Sequence, residues 1–237
     1  MQFSAPIYHL KRQARQISRT QQIPLHAALD QVAQAEGYQS WSHLVSAPSR
    51  RKPVDQILSQ LEAGSLVLLG ARPGQGKTSL GLELALRADR IGRSGLFMTL
   101  EYNAADVAAL AQSLGVQGPD MSKRVSVDMS DDISAPYIID RVRAQEHPML
   151  VVVDYLQLMD QKRVSPPLND QVESLHRFAK ETGTIFAMIS QIDRAFDLSG
   201  RPMPDVTDVR LPNPLEMALF DRFCFLHDSQ IRLSKAA

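Results

Sequence analysis

One cysteine stands among the 237 residues, Cys224, inside the apolar string Phe223-Cys224-Phe225-Leu226. That excludes a disulfide framework and a cysteine-ligated zinc site within one chain, and reads Cys224 as a packed core residue. Aromatics are sparse, at 6% with a single tryptophan, Trp41. No apolar run approaches the roughly 20 residues that cross a bilayer, and the opening Met-Gln-Phe-Ser-Ala-Pro-Ile-Tyr-His-Leu-Lys-Arg has no signal-peptide core. A cytoplasmic protein without membrane contact is expected. Net charge is lacking too, with 26 Lys and Arg against 26 Asp and Glu. What is present is hydrophobic content of 44%, enough to fill the core of one large domain or of a large and a small one.

The balanced charge hides an asymmetry. Residues 1–53 hold seven bases (Lys11, Arg12, Arg15, Arg19, Arg50, Arg51, Lys52) against Asp30 and Glu36, a net +5 that leaves −5 for the remainder. The string Ser46-Ala47-Pro48-Ser49-Arg50-Arg51-Lys52-Pro53 has linker composition at that shift. The expected organisation is therefore a small basic helical module over 1–48, a linker over 49–53 and a larger domain over 54–237.

In the module, Ile7, Leu10, Ala14 and Ile17 fall on one helical face with Lys11, Arg12, Arg15 and Arg19 largely opposite. Pro24 opens a second helix with the stripe Leu25, Ala28, Leu29, Val32 and Ala33, closed by Gly37. Ser40 caps a third piece with Trp41, Leu44 and Val45 inward. Tyr38 and Trp41 read as bundle core rather than as a platform for stacking bases.

From residue 54 strands and helices alternate. A helix at 54–61 leads to a strand at 65–70, and helices at 78–87, 104–114, 135–144 and 170–182 interleave with strands at 94–101, 124–128, 149–154 and 184–190. A last strand is expected at 222–227. This alternation predicts an α/β fold with a mostly parallel, doubly wound sheet. The connection over 192–216, rich in proline and with little periodicity, is the length of a functional or mobile loop.

The first of those strands runs through Gly70-Ala71-Arg72-Pro73-Gly74-Gln75-Gly76 into Lys77-Thr78-Ser79 and a helix. That is a phosphate-binding loop, departing from the strict pattern only in having Ala71 where its first glycine belongs. Backbone N–H groups at a helix start form a concave anion site, Lys77 reaches the terminal phosphates, and Thr78 ligates Mg²⁺. Residues 71 to 79 are thus the candidate ATP-binding loop.

Met149-Leu150-Val151-Val152-Val153-Asp154 is a continuous apolar run ending in a carboxylate, the mark of a strand buried on both faces. Ligands of open α/β sheets collect at such strand ends, so Asp154 would hold Mg²⁺ through water. Glu101 ends the 94–101 strand and is the candidate base for an attacking water, with a solvated turn charge as its alternative. Gln191, past the apolar strand Ile185 to Ser190, occupies the place of a γ-phosphate sensor, with an ordinary strand-end residue as the alternative.

Taken in order, Ala71 to Thr78, Thr99-Leu100-Glu101, Val153-Asp154-Tyr155-Leu156-Gln157-Leu158-Met159 and Ser190-Gln191 resemble the four ATPase motifs of the DnaB-type replicative helicases. The resemblance covers roughly 54–228 and includes Thr207-Asp208-Val209-Arg210, similar to a Ser-Asp-Leu-Arg segment of that family's DNA-facing region. It implies a RecA-like P-loop core, Lys77 and Thr78 on phosphates and Mg²⁺, Glu101 as catalytic base, Asp154 on Mg²⁺ and Gln191 as sensor. It further implies a ring or filament with ATP between subunits. Arg72 is a candidate nucleotide contact without a firm role.

The family's collar domain and its arginine-finger hairpin have no counterpart in the sequence, with only Arg232 or Lys235 as stand-ins for the finger, so slow intrinsic hydrolysis is expected. The expected function is Mg²⁺-dependent ATP hydrolysis on or near single-stranded DNA. Arg194, Arg201 and Arg210, with Lys11, Arg12, Arg15 and Arg19, are the candidate phosphate contacts. The competing reading is a nucleotide-dependent regulator or adaptor whose module docks a partner protein and whose hydrolysis is slow or vestigial.

Overall fold

The computed structural model describes residues 7–46, 53–116, 118–160, 166–211, 213–228 and 230–236. It divides into two compact units between Lys52 and Pro53. The linker expected at 49–53 lies outside the described residues up to position 52.

The first unit is all-helical: α1 (Ile7–Gln21), α2 (Leu25–Ala35) and α3 (Trp41–Ser46). Its core is Leu10, Ala14, Ala28, Val32, Ala33 and Leu44, with Ile17, Tyr38 and Trp41 packed against it. The two aromatics thus serve the core. The side chains of Ile7 and Val45, also expected inward, lie outside the described residues. Gly37 closes α2 at φ 85°, where a side chain would be strained. Asp30 of α2 accepts the Trp41 N–H at 2.7 Å, anchoring α3 to α2.

The second unit begins with α4 (Pro53–Leu58), β1 (Leu66–Ala71), α5 (Lys77–Leu86), β2 (Ser94–Thr99), α6 (Ala104–Ser113), α7 (Gly118–Arg124) and β3 (Val125–Asp128). It continues with α8 (Ala135–Arg143), β4 (Met149–Asp154), α9 (Leu168–Thr182), β5 (Ile185–Gln191), β6 (Arg222–His227) and β7 (Gln230–Lys235). The strands form one sheet in the order β3-β2-β4-β5-β1-β6-β7, parallel throughout except for β7.

Strands buried on both faces need apolar residues in both registers, and β1 and β4 are buried at every position. Val67, Leu69, Leu150 and Val152 face the core shared with α4, α5 and α6. Leu66, Leu68, Val151 and Val153 face the core shared with α8 and α9. The mostly parallel, doubly wound sheet expected from the alternation is what forms. Helix α5 lies hard against the sheet: a Cβ on Gly81 would sit 2.6 Å from Ile189 Cδ1 and 3.0 Å from Val152 Cγ1. That contact fixes where the start of α5 stands relative to β4 and β5.

Three segments differ from expectation. Helix α7 occupies residues read as a connection. The sheet does not end at β6, because Gln230-Ile231-Arg232-Leu233-Ser234-Lys235 pairs antiparallel with it, from His227↔Gln230 to Arg222↔Lys235. The alternation of Ile231 and Leu233 with polar residues is a strand signature, but a short one at an edge. Asp228, at the turn into β7, takes φ 45°. Finally, the loop expected at 192–216 carries local structure among its described residues, with short 3-10 turns at Arg194–Leu198 and Val206–Asp208, and it buries Phe196 and Val209 in the α8/α9-side core.

Candidate active site

Because β1, β2, β4, β5 and β6 run parallel, their C-terminal ends share one edge of the sheet. Ala71, Thr99, Asp154, Gln191 and His227 end those strands. Lys77, Thr78, Glu101, Asp154 and Gln191 are therefore on that edge or within a few residues of it.

The turn after β1 carries Gly74 at φ 77° and Gly76 at φ 85°, and a Cβ at either would meet nothing within 4 Å. Glycine is needed there for backbone conformation rather than for space. Gly76 sits at the N-cap of α5 without a side-chain cap, so the first-turn N–H groups stay available to an anion, reinforced by the helix dipole. Thr78 is buried, and Lys77 and Ser79 are half-buried. The Lys77 ammonium stands 5.8 Å from the centroid of the Tyr155 ring, immediately beyond Asp154. This contact places the phosphate loop against the end of β4, although β5 lies between β1 and β4.

Asp154 is completely buried, and neither carboxylate oxygen has a hydrogen-bond partner of good geometry. Burial pushes its pKa up to about 6; the Lys77 charge and the nearby Thr78 hydroxyl pull it down, and the Glu101 charge pushes it up further. The influence of Lys77, Thr78 and Glu101 on one buried carboxylate brings four predicted residues to one spot. Glu101 itself is exposed, its N–H donating to Thr99 Oγ1 at 3.2 Å just before α6.

A buried carboxylate with no well-formed hydrogen bond, helped only by the Lys77 charge and the nearby Thr78 hydroxyl, is incompletely compensated for its burial. Water molecules around a divalent cation would supply donors to both oxygens, with Thr78 as the direct protein ligand. Among the described residues no group of three or more His, Cys, Asp or Glu could cage a metal. One carboxylate, one hydroxyl and phosphate oxygens suit Mg²⁺, which retains several waters, so the residues present fit that ion.

Gln191 pairs with Ala71 across the β1–β5 register. Its Oε1 accepts from Arg210 Nη1 at 3.3 Å and its carbonyl from the Arg210 N–H at 2.8 Å. Gln157, which sequence reasoning quoted only within a motif, is the link that it missed. Its Nε2 donates to Ser190 Oγ at 2.9 Å and to the Arg210 carbonyl at 2.6 Å, joining the ends of β4 and β5 to the 205–210 segment. No local pattern marks such a role, because both partners are distant in sequence.

Arg72 turns away from the phosphate loop. Its Nε and Nη2 grip Asp197, with a shortest distance of 2.8 Å, and its Nη1 donates to the Ile192 carbonyl at 3.0 Å. Gln75 accepts the Asp228 N–H at 2.9 Å, tying the loop to the end of β6, while Pro73 and Gly74 are exposed. Of the arginines named as nucleic-acid contacts, Arg194 and Arg210 are exposed. Arg201 is held by Asp205 at 2.6 Å and by Asp208, with its guanidinium over Phe196. Arg232 on β7 donates to the Pro204 carbonyl and lies 5.9 Å over the Phe225 ring, and Lys235 is 3.8 Å from Glu62.

No protein-family model matches the chain. Among curated proteins it is similar to the replicative DNA helicase DnaB of Helicobacter pylori strain J99, 26% identical over 188 residues that cover 66% of this chain and 39% of that protein. It is also similar to the DNA repair protein RadA of Escherichia coli K12, 29% identical over 156 residues, covering 63% and 32%. The chain thus spans about two fifths or less of these two relatives. Among solved structures, one ATPase domain superposes with a TM-score of 0.55 at 19% identity, covering 79% of this chain and 80% of that one. A DnaB-like replicative helicase, solved for its interactions with primase, gives 0.56 at 15% identity over 96% and 73%. Among the described residues no helix is long and apolar enough to cross a membrane.

Proposed function

We propose that this DnaB-like domain of RecA-like fold binds ATP with Mg²⁺ at the β1–α5 turn and hydrolyses it. The observation that carries the reading is Asp154: a fully buried carboxylate with two unpartnered oxygens, beside Lys77, Thr78 and Glu101. Relatives named as a replicative helicase and a DNA repair protein support the same class.

In this reading the N–H groups opening α5 cradle the phosphates and Lys77 moves from the Tyr155 face onto the terminal phosphate. Thr78 and Asp154 are the residues that would hold Mg²⁺, and the ion would supply positive charge against the phosphate oxygens. Glu101 accepts a proton from, or orients, a water in line with the γ-phosphorus. Gln191 exchanges its Arg210 bond for a phosphate oxygen, so the arrival of ATP is felt in the 205–210 segment. Single-stranded DNA is the partner this reading names, in a ring or filament of copies.

A second reading, a slow nucleotide-dependent switch, is favoured by the arginines near the site. Arg72, Arg201, Arg210 and Arg232 are each engaged within the chain. ATP turnover with and without single-stranded DNA, alongside a sizing measurement, separates the two readings. Lys77→Ala should abolish nucleotide binding, and unchanged binding would remove the assignment altogether.

A further inference from the structure

The obvious place for a DNA strand, the 192–216 segment, is electrostatically poor. It carries Arg194, Arg201 and Arg210 against Asp193, Asp197, Asp205, Asp208 and Glu216, a net −2. Arg201 is also neutralised by two of those acids. A surface that repels phosphates on balance does not accumulate a polyanion.

Helix α1 has the opposite character. Its fifteen residues include no acid, and Lys11, Arg12, Arg15 and Arg19 are all exposed. At about 100° per residue these four fall within an arc of about 100°, and they extend about 12 Å along the axis. Together with Gln16 and Thr20 they line one open cleft. Asp30 of the same unit is occupied by the Trp41 N–H, and among the described residues no ion pair holds any of the four bases.

We infer that α1 is the docking surface for a single nucleic-acid strand, gripping its phosphodiester backbone through Lys11, Arg12, Arg15 and Arg19. The composition of the face selects this occupant over others. Protein interfaces are anchored by buried aromatic or aliphatic side chains, and among the described residues the side chains that line this cleft are cations and uncharged polar groups only. A helix lying on a lipid surface must insert its apolar side, whereas Leu10 and Ala14 of α1 are 0% exposed and belong to the unit's own core. A regular row of phosphates demands what α1 supplies, cations at intervals with hydrogen-bonding residues between them. The inference shares with the proposed function the idea of a DNA partner, but does not depend on hydrolysis.

The test is the affinity of the full chain for a fluorescent oligothymidylate as salt is raised, without nucleotide. Four phosphate contacts on a single strand predict a log–log slope near −3, about a 50-fold loss between about 50 and 200 mM salt. The Arg12→Gln/Arg15→Gln/Arg19→Gln variant, all exposed positions, should bind weakly and lose only about 3-fold over that range, with its DNA-free ATP turnover unchanged. Should the triple variant fold poorly, Arg15→Gln alone should lower the slope by about 0.7. Lys77→Ala should bind the oligonucleotide as wild type does, which separates this inference from the ATPase reading. The inference is overturned if the triple variant keeps the full slope, if binding disappears instead in Arg194→Gln/Arg210→Gln, or if phosphatidylserine vesicles compete as well as DNA.

Discussion

Replacing Asp154 by asparagine tests the site at its most vulnerable physical claim. An isolated aspartate has a pKa of 3.8, and burial at the end of β4 raises this one to about 6. For a carboxyl whose folded pKa is raised, folding is favoured while the group is protonated, and that advantage is lost as pH climbs from the unfolded value through the folded one. A shift of about two units corresponds to about 3 kcal/mol. Linkage puts the cost of the ionised side chain at about 0.6 kcal/mol at pH 4, about 1.6 at pH 5 and about 3 at pH 7. Asp154→Asn keeps the shape and cannot ionise, so the nucleotide-free, EDTA-treated variant should gain on wild type by that amount between about pH 4 and 7. Urea unfolding at a series of pH values reads the difference directly. Added Mg²⁺ and ATP should reverse the order, stabilising wild type and not the variant. A stability difference that does not change with pH, or one that grows toward acid, would refute the claim that an incompletely compensated buried charge waits there for a ligand.

Glu101→Gln should retain nucleotide affinity while turnover falls on the order of 10²- to 10⁴-fold, measured by phosphate release, because a general base is removed without loss of volume. Gln157→Leu removes the donor shared by Ser190 and the Arg210 carbonyl; it should lower stability by about 1–2 kcal/mol and speed hydrogen exchange at the Arg210 amide. Gly81→Ala forces a methyl to 2.6 Å from Ile189 Cδ1, and chemical denaturation should show a loss of about 1–3 kcal/mol.

Much of the site could be read from local pattern. Glycines followed by Lys77-Thr78 between an apolar strand and a helix specify a tight turn into an uncapped helix start, because the left-handed residues, the free N–H groups and the cation lie within a few positions of one another. The apolar run ending in Asp154 likewise announced a buried strand with its charge at the tip. Other features were illegible for a common reason. Arg72 meets Asp197, Gln75 meets the Asp228 N–H, and Gln157 meets Ser190 and Arg210, partners separated by dozens of residues or more. Arg201 looked like a cation for DNA until folding set Asp205 and Asp208 around it.

The sequence by itself determined most of the elements, though not α7 or β7, together with their order, the parallel sheet and the polar residues carried at the strand ends, since hydrophobic period, glycine conformation and capping act over one or two turns of chain. Only the tertiary structure decided which strand ends stand side by side, that β7 pairs with β6 at the edge of the sheet, and which arginines are already bound to acids. Those outcomes depend on distances between segments remote in sequence, and a side chain's charge has no fixed meaning until folding has chosen its neighbours.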